Sequence, residues 1–583
     1  MWYNKIVNYN KETKNCQNCK QDFVIELDDF SFYEKMKVPP PTFCPECRLQ
    51  RRLSFRNERS LYKAVCNLCQ KNTLSVVLPE KLKVYCVACW VSEKWDPTDY
   101  ARDYDFSKSF FEQYKELIQK MPNRALASSS SSLINSEYSN TSSNLKDCYL
   151  LYGSNGCENC MYSSEIFDCF DCFDCKMITG GTSCYGSVNC QRCSRVNYSI
   201  DCRDSLDLDF CRNLSNCSNC FICTNLNNKS YHIFNEPYSR EDYLIKIKEL
   251  KSGSYSKIIE NKKIAQEFIN KFPVKFYHGF KNNKFSGDYV YNSKNTINSF
   301  FSTGAEDCKY CFNLVVNYSK GCFDYSDWGA NVENIYESLT CGNNVSNLKF
   351  CLFVGKHSMD VEYSMHCANC QNVFGCLGLR NKQYCIFNKQ YTREEYFEMV
   401  EKIKKHMDDT PYVDKIGNVY KYGEFLPAEI SIFPYNDSTA YSYFSLTKKG
   451  IEEKGFTYVE KMDKNYKIDM QATDLIDRIE DTGEDVLGKV IECHNKENKL
   501  SSNCVGAFRI LERELSFYQR ENIPLPRFCP NCRHEERSKF VNPPRLWHRA
   551  CMKEGCTNEF ETSYSSDRPE IIYCEECYKR EIY

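Results

Sequence analysis

Paired cysteines are the groups in this chain with the clearest chemistry. Four pairs of the form C-x2-C lie near the N-terminus: Cys16/Cys19, Cys44/Cys47, Cys66/Cys69 and Cys86/Cys89. A thiolate is a soft ligand, and one tight C-x2-C turn offers two of them to the same tetrahedral cation. Taken in order, the pairs make two sites of four sulfurs each; interleaved pairing is the alternative. Pro45 inside the CPEC knuckle suits such a turn, because its φ is already set. A second set closes the chain: Cys493/Cys504, Cys529/Cys532, Cys551/Cys556 and Cys574/Cys577. The expected cofactor is Zn2+, about four ions per chain. Ligand sets made only of thiolates leave no open position, which points to structural rather than catalytic metal.

The two ends are copies at a constant offset of 485: Phe23 with Phe508, Tyr33 with Tyr518, Cys44 with Cys529, Arg48 with Arg533, Arg52 with Arg537, Asn57 with Asn542. One match fails. Cys16 falls on Ser501, so Cys493, at the head of a longer loop, has to supply the missing sulfur. Arginines follow both knuckles: Arg48, Arg51, Arg52 and Arg56 in the first copy, Arg533 and Arg537 in the second. Guanidinium forks there could meet phosphates, so these six are the expected nucleic-acid contacts, to RNA or DNA. The alternative is arginine that is solvated or packed over aromatic rings.

The stretch CQNCKQDFVIELDDFSFYEKMKVPPPTFCPECRLQRR and its counterpart AFRILERELSFYQRENIPLPRFCPNCRHEER resemble the zinc-ribbon, treble-clef-like domain found in many bacterial proteins. The pairing of such domains with cysteine-rich repeats is similar to large repeat proteins of small-genome bacteria. The resemblance covers roughly a quarter of the chain. It implies bound zinc and brings no particular activity with it.

The remaining 23 of the 39 cysteines lie in the middle and keep a different rhythm. From Cys148 to Cys223 all fourteen occupy one frame of three, and the vacant places hold Leu, Ile, Val, Gly or Ser. Internal repeats have to be considered first for such a pattern. A period of three is neither the 3.6 of an α-helix nor the 2 of a strand. It fits a coil that turns often and sends one residue in three inward. A recurrence of 21 (Cys148, Cys169, Cys190, Cys211) predicts rungs of about 21 residues in a β-solenoid with stacked thiols inside. A polyproline-like bundle also has a period of three, but Pro and Gly are scarce here. A second, less regular array follows: NKSYHIFNEPYSREDY at 228–243 matches NKQYCIFNKQYTREEY at 381–396, and the changes of frame imply insertions at corners. Each array is expected to end in a capping helix, beginning at Ser239 and Thr392.

The elements that must position these groups follow. The fold class is multidomain and mainly β: two cysteine-stacked β-solenoid arrays flanked by duplicated zinc-ribbon/treble-clef modules, with short capping and linking helices. The expected divisions are 1–95, an N-terminal double zinc-ribbon module; 96–127, a helical connector joining that module to the first array; 128–236, the first solenoid; 237–285, a helical cap and linker; 286–388, the second solenoid; 389–490, a helical cap and mixed α/β segment; and 491–583, the C-terminal double module. The Ser-rich run at 128–132 reads either as a linker or as the first rungs.

Composition limits the function. The formal net charge of −2 excludes a generic polyanion binder, so any nucleic-acid surface has to be local. No apolar run reaches the length of a membrane span and no leader is evident, so the expected location is cytoplasmic, where thiols stay free. No nucleophile triad, phosphate loop or dinucleotide fingerprint is present, and no small-molecule substrate is evident. The expectation is a non-catalytic zinc-binding protein that contacts nucleic acid through its ribbons. The alternatives are a protein-interaction scaffold with partners on the solenoid face, or cysteine-based metal handling.

Overall fold

The computed structural model describes residues 11–128, 132–315, 318–330, 332–461, 465–496 and 503–582. The protein is a multidomain assembly of many short strands in mixed sheets, with twelve α-helices among the described residues. No helix among them is long and apolar enough to cross a membrane.

The middle of the chain is a stack of parallel strands. Bridged residues in the first array lie 12 apart: Tyr149 with Met161, Met161 with Phe173, Phe173 with Tyr185. From Asn144 to Phe234 every third residue has a left-handed backbone, with φ between 49° and 69°. Each is a corner, and the residue after it points inward. A turn therefore has four short sides. This corrects the longer rung expected from the cysteine recurrence of 21. That recurrence reaches two turns on and one side back. Every multiple of three keeps a side chain inside, so the spacing of the cysteines could not select the multiple. Left-handed backbone costs most L-residues about 1–2 kcal/mol, and Asn and Asp bear it best. They crowd the corners and bond to one another down the stack, as in Asn189 to Asp201 at 2.7 Å and Asn213 to Asn225 at 2.8 Å.

Hydrogen bonding explains the small inward residues. The side chain of one inward residue accepts the backbone N–H of the inward residue one turn later, as in Cys172 N to Cys160 Sγ at 3.3 Å and Cys175 N to Ser163 Oγ at 2.9 Å. It donates its own proton to a nearby carbonyl, as in Cys148 Sγ to Lys146 O at 3.3 Å and Ser187 Oγ to Val196 O at 2.9 Å. Cys and Ser are the smallest side chains that do both, so these buried polar groups are satisfied without water. At Gly181 an added Cβ would lie 2.6 Å from Ile178 Cγ2 and 3.2 Å from Cys172 Sγ, so this inward place leaves room for its neighbours.

The second array is built the same way but with uneven turns. One inward column runs Thr296, Cys308, Cys322, Ile335, Leu348, Val361, Val373, Cys385, with spacings of 12, 14, 13, 13, 13, 12 and 12. The additional residues produce the changes of cysteine frame. After the arrays come helices Arg240–Leu250 and Arg393–Asp409, whose first turns are capped by Ser239 and Thr392. Leu133–Ile134 pairs in parallel with Leu145–Lys146, so rungs begin by residue 133; residues 129–131 of the Ser-rich run lie outside the described residues.

The connecting helix Phe110–Lys120 corrects a second expectation. It packs on the second array, not the first: the Phe110 ring lies 5.2 Å from Tyr363, 5.5 Å from Phe374 and 5.3 Å from Phe387. The whole assembly is crossed in this way. The arginine-bearing helix of the N-terminal module docks on the second array and that of the C-terminal module on the first, while each module also touches the start of the nearer array, through Asn140 Nδ2 to Asn57 O at 3.1 Å and Asn542 N to Tyr289 Oη at 3.2 Å. Phe32 stacks on Phe323 at 3.8 Å, and its counterpart Phe517 stacks on Phe173 at 3.9 Å.

Candidate metal centres

Local sequence builds each cysteine site in the same two steps. A two-stranded hairpin carries the first pair of sulfurs, and a helix start carries the second. In the first site, strands Glu12–Asn15 and Asp22–Ile25 flank Cys16 and Cys19, and Lys20 takes the left-handed turn position at φ 61°. Cys44 caps helix Pro45–Leu53, with Pro at its first position, where no N–H is needed. Cys86 caps Val87–Val91 and Cys529 caps Pro530–Ser538, while Cys574 immediately precedes Glu575–Ile582. Helix N-termini favour anions, which suits a thiolate there.

The sixteen cysteines gather into four quartets: Cys16, Cys19, Cys44, Cys47; Cys66, Cys69, Cys86, Cys89; Cys493, Cys504, Cys529, Cys532; and Cys551, Cys556, Cys574, Cys577. Within each, all sulfurs lie within 4.8 Å of one another. The pairing is sequential, and Cys493 does complete the third quartet. Sulfur separations are 3.7 Å for Cys19–Cys44, 3.9 Å for Cys69–Cys86, 3.8 Å for Cys493–Cys532 and 3.9 Å for Cys556–Cys574. Four sulfurs about 2.3 Å from one tetrahedral ion stand about 3.8 Å apart. A disulfide would need about 2.05 Å, and all 39 cysteines are free thiols. The donor set therefore fits a metal ion.

The backbone is arranged around the sulfurs as well. The N–H of the third cysteine points at the first sulfur in every quartet: Cys44 to Cys16 at 3.2 Å, Cys86 to Cys66 at 3.2 Å, Cys529 to Cys493 at 3.1 Å, Cys574 to Cys551 at 3.3 Å. Hydrogen bonds from Cys44 and Cys47 hold Cys16 far below the ordinary thiol range, while Cys16 in turn pushes Cys44 up to about 12. Cys529 is likewise lowered by Cys493, Cys504 and Cys532. Unaided, four crowded sulfurs cannot all ionise; a divalent cation would let them do so.

The arginines follow the packed alternative rather than the nucleic-acid reading: Arg51 lies over the Phe43 ring at 4.1 Å and Arg533 over the Tyr162 ring at 4.8 Å. Arg48, Arg51, Arg52, Arg56, Arg533 and Arg537 are all buried, Arg52 at 0% exposure. They face carboxylates rather than solvent. Arg48 Nη2 lies 2.8 Å from Asp324, and Arg52 Nη1 lies 3.0 Å from Asp324 and 3.2 Å from Glu337. Arg51 spans Glu337 at 2.9 Å and Glu424 at 3.3 Å, and Arg56 binds Glu58 at 2.6 Å. In the other copy Arg537 lies 2.8 Å from Asp174, and Arg533 reaches Asp174 and Glu514. Arg48, Arg51 and Arg52 lie on helix Pro45–Leu53 and Arg533 and Arg537 on Pro530–Ser538, the faces by which the modules dock, and Arg56 follows just past the first helix; all six are turned away from solvent. Burial alone would lower the Arg48 pKa, but Asp324 keeps it raised well above its ordinary value.

Sequence reasoning missed the acidic partners. A signal was present: Cys-Phe-Asp recurs at 172–174 and 322–324, facing Leu-Ser-Phe-Tyr at 515–518 and Phe-Ser-Phe-Tyr at 30–33. The Phe of each tripeptide stacks on a module ring and the Asp takes the arginines.

No family model matches the chain, and no curated protein does. Among solved structures, a "putative acetyltransferase" from Desulfovibrio desulfuricans G20 aligns at 10% identity and a TM-score of 0.10, over 37% of this chain. The chain spans 63% of that structure's length. A likeness this weak carries no argument.

Proposed function

We propose that this is a non-catalytic zinc protein in which four tetrathiolate sites, zinc-ribbon or treble-clef in type, lock two β-solenoids side by side into a rigid scaffold for protein partners. The sulfur spacing of 3.5–4.0 Å, the edge of a thiolate tetrahedron, is the observation that carries the metal reading. The seven-part division set out above is the domain organisation of this reading. The free thiols suit a reducing compartment such as the cytoplasm. Burial of the six arginines removes the carriers of the nucleic-acid reading and favours the scaffold. Metal handling by the central thiols is disfavoured, because they are buried and already bonded to carbonyls. Elemental analysis of the purified chain tests the proposal: about four zinc equivalents are expected, whereas none, or many more, would overturn it. Partner capture through the solenoid faces should persist at high salt, since a shape-based contact is screened less than a phosphate contact.

A further inference from the structure

The internal duplication provides a control within one molecule. Cys86 and Cys574 hold the same place in their quartets, so strand Val84–Tyr85 corresponds to Ile572–Tyr573. Their parallel partners, Asn123–Arg124 and Val274–Lys275, then correspond too. Three residues on, Ala127 matches His278, and each donates its backbone N–H to the next turn, to Asn140 and Asp288 respectively. Val77 matches Tyr564, each donating its backbone N–H to a hydroxyl two residues back, of Ser75 and Thr562 respectively. In the arrays, Thr224 and Leu377 are matched by the asparagine that accepts their N–H. One turn earlier lie Arg212 and Met365, and two turns earlier Ile200 and Leu352, so Asp201 matches Phe353.

One copy thus holds Asp201, Arg212, His278 and Tyr564 where the other holds Phe353, Met365, Ala127 and Val77. The polar set lines a cleft of about 210 Å³. His278 Nδ1 lies 2.9 Å from Asp288, and its Nε2 lies 3.0 Å from the Tyr564 hydroxyl and 3.5 Å from Asp201. Arg212 reaches Asp201 at 3.9 Å and Glu570 at 3.7 Å. The side chains of Arg212, His278 and Asp201 are only 11%, 12% and 13% exposed. Burying such ions costs several kcal/mol each, and well-packed apolar residues are commonly as stable or more so. The apolar copy shows that this frame accommodates them. Folding therefore does not account for the charges.

Lys275 is the cleft cation with no acid against it. It lines the cleft, hydrogen-bonds Gly279 O at 3.0 Å and stands 3.8 Å from the Tyr277 ring, yet makes no ion pair among the described residues, while Arg203, Arg212 and His278 all face acids. Its counterpart Arg124, also without an ion pair among the described residues, hydrogen-bonds Ser128 O at 2.7 Å, but that copy has Phe353 and Met365 in the places of Asp201 and Arg212. We propose that the open cleft binds a small anion carrying a carboxylate or phosphate group, held by Lys275 and Arg212 and oriented by the His278–Tyr564 pair. Ammonium and guanidinium donors around one unfilled space match that chemistry, and Tyr277, Phe280 and Tyr291 leave the walls apolar enough for a small ring.

The test uses the full zinc-loaded chain, with inorganic phosphate and benzoate titrated separately against chloride at equal ionic strength. Saturable heat and a rise in thermal midpoint are expected with at least one of them, and which one responds assigns the anion. Lys275→Met should weaken that binding by at least about tenfold, the scale of a lost charged hydrogen bond. The grafted variant Asp201→Phe, Arg212→Met, His278→Ala, Asp288→Asn, Tyr564→Val, in which Asp288 takes the residue of its counterpart Asn140, should keep its zinc and its thermal midpoint but bind neither anion. The absence of saturable binding in the parent chain, or binding that Lys275→Met leaves unchanged, would overturn the proposal. Collapse of the grafted variant would show that the charges serve folding, and would remove the argument from the apolar copy.

Discussion

The two arrays solve one packing problem in different ways. In the first, every turn has the same length and the interior is mainly sulfur, with Leu, Ile and Val between. In the second, several longer turns widen the interior, and Tyr325, Val332, Ile335, Leu348, Val354 and Val361 fill it. Small thiols suit a narrow bore, where each also satisfies a backbone N–H of the next turn. A wider bore needs volume more than hydrogen bonding. Regular cysteine spacing is thus a consequence of constant turn length and need not reflect ligation.

The sharpest way to break the comparison is to remove one latch at a time. Cys493→Ser with Cys529→Ser should open the C-terminal module and release the first array. Hydrogen exchange would rise around 160–185 and stay unchanged around 320–340. Cys16→Ser with Cys44→Ser should do the reverse. Each site is worth on the order of 10 kcal/mol of apparent folding free energy, so these effects are the largest expected. Exchange rising equally in both arrays would refute the crossed docking.

Arginine removal comes next. Arg52→Ala leaves Asp324 to Arg48 and Glu337 to Arg51, and Arg537→Ala leaves Asp174 to Arg533; each loses a charged hydrogen bond and should cost about 1.5–3 kcal/mol in urea unfolding. The nucleic-acid reading expected instead lost retention on RNA or DNA with the fold intact. Interior volume is a finer probe. Gly181→Val should overpack the narrow bore by about 1–3 kcal/mol, whereas Val361→Cys in the wide bore should cost about 1 kcal/mol through lost volume. Equal costs for both would undo the contrast.

The smallest effect distinguishes the arrays by pH. Burial would raise the Glu362 carboxyl, but Lys404 and Lys349, each 3.0 Å away, override it and hold the pKa down to about 2 from 4.5. A carboxyl lowered in the folded state stabilises above its unfolded pKa and loses that contribution as pH falls through the folded one. Second-array stability should therefore decline between about pH 4.5 and pH 2, and Glu362→Gln should flatten that slope. An unchanged slope in thermal midpoints over this range would show that the pair contributes nothing.

Much of the candidate site was legible because its signals are local. A C-x2-C turn and the Pro at a helix start lie close together along the chain, so all sixteen ligand positions, even Cys493 behind its long loop, could be read from spacing. The arginines could not be read the same way. Their chemistry depends on Asp324, Glu337 and Asp174, which lie hundreds of residues away, and a basic helix looks alike whether it meets phosphate or a buried carboxylate. His278 and Asp201 were invisible for the same reason: single charged residues mean little until a fold brings them together.

By itself, the sequence determined which residues face inward, which cysteines cluster and that both ends and both arrays are copies, because each of these is a pattern of neighbours along the chain. Only the tertiary structure decided how long a turn is, that each module grips the more distant array in the copy order, and that the arginines are buried. Any multiple of three returns a side chain to the interior, and either array offers an acid to either module. The choice rests on how whole surfaces fit, and pairwise spacing does not encode it.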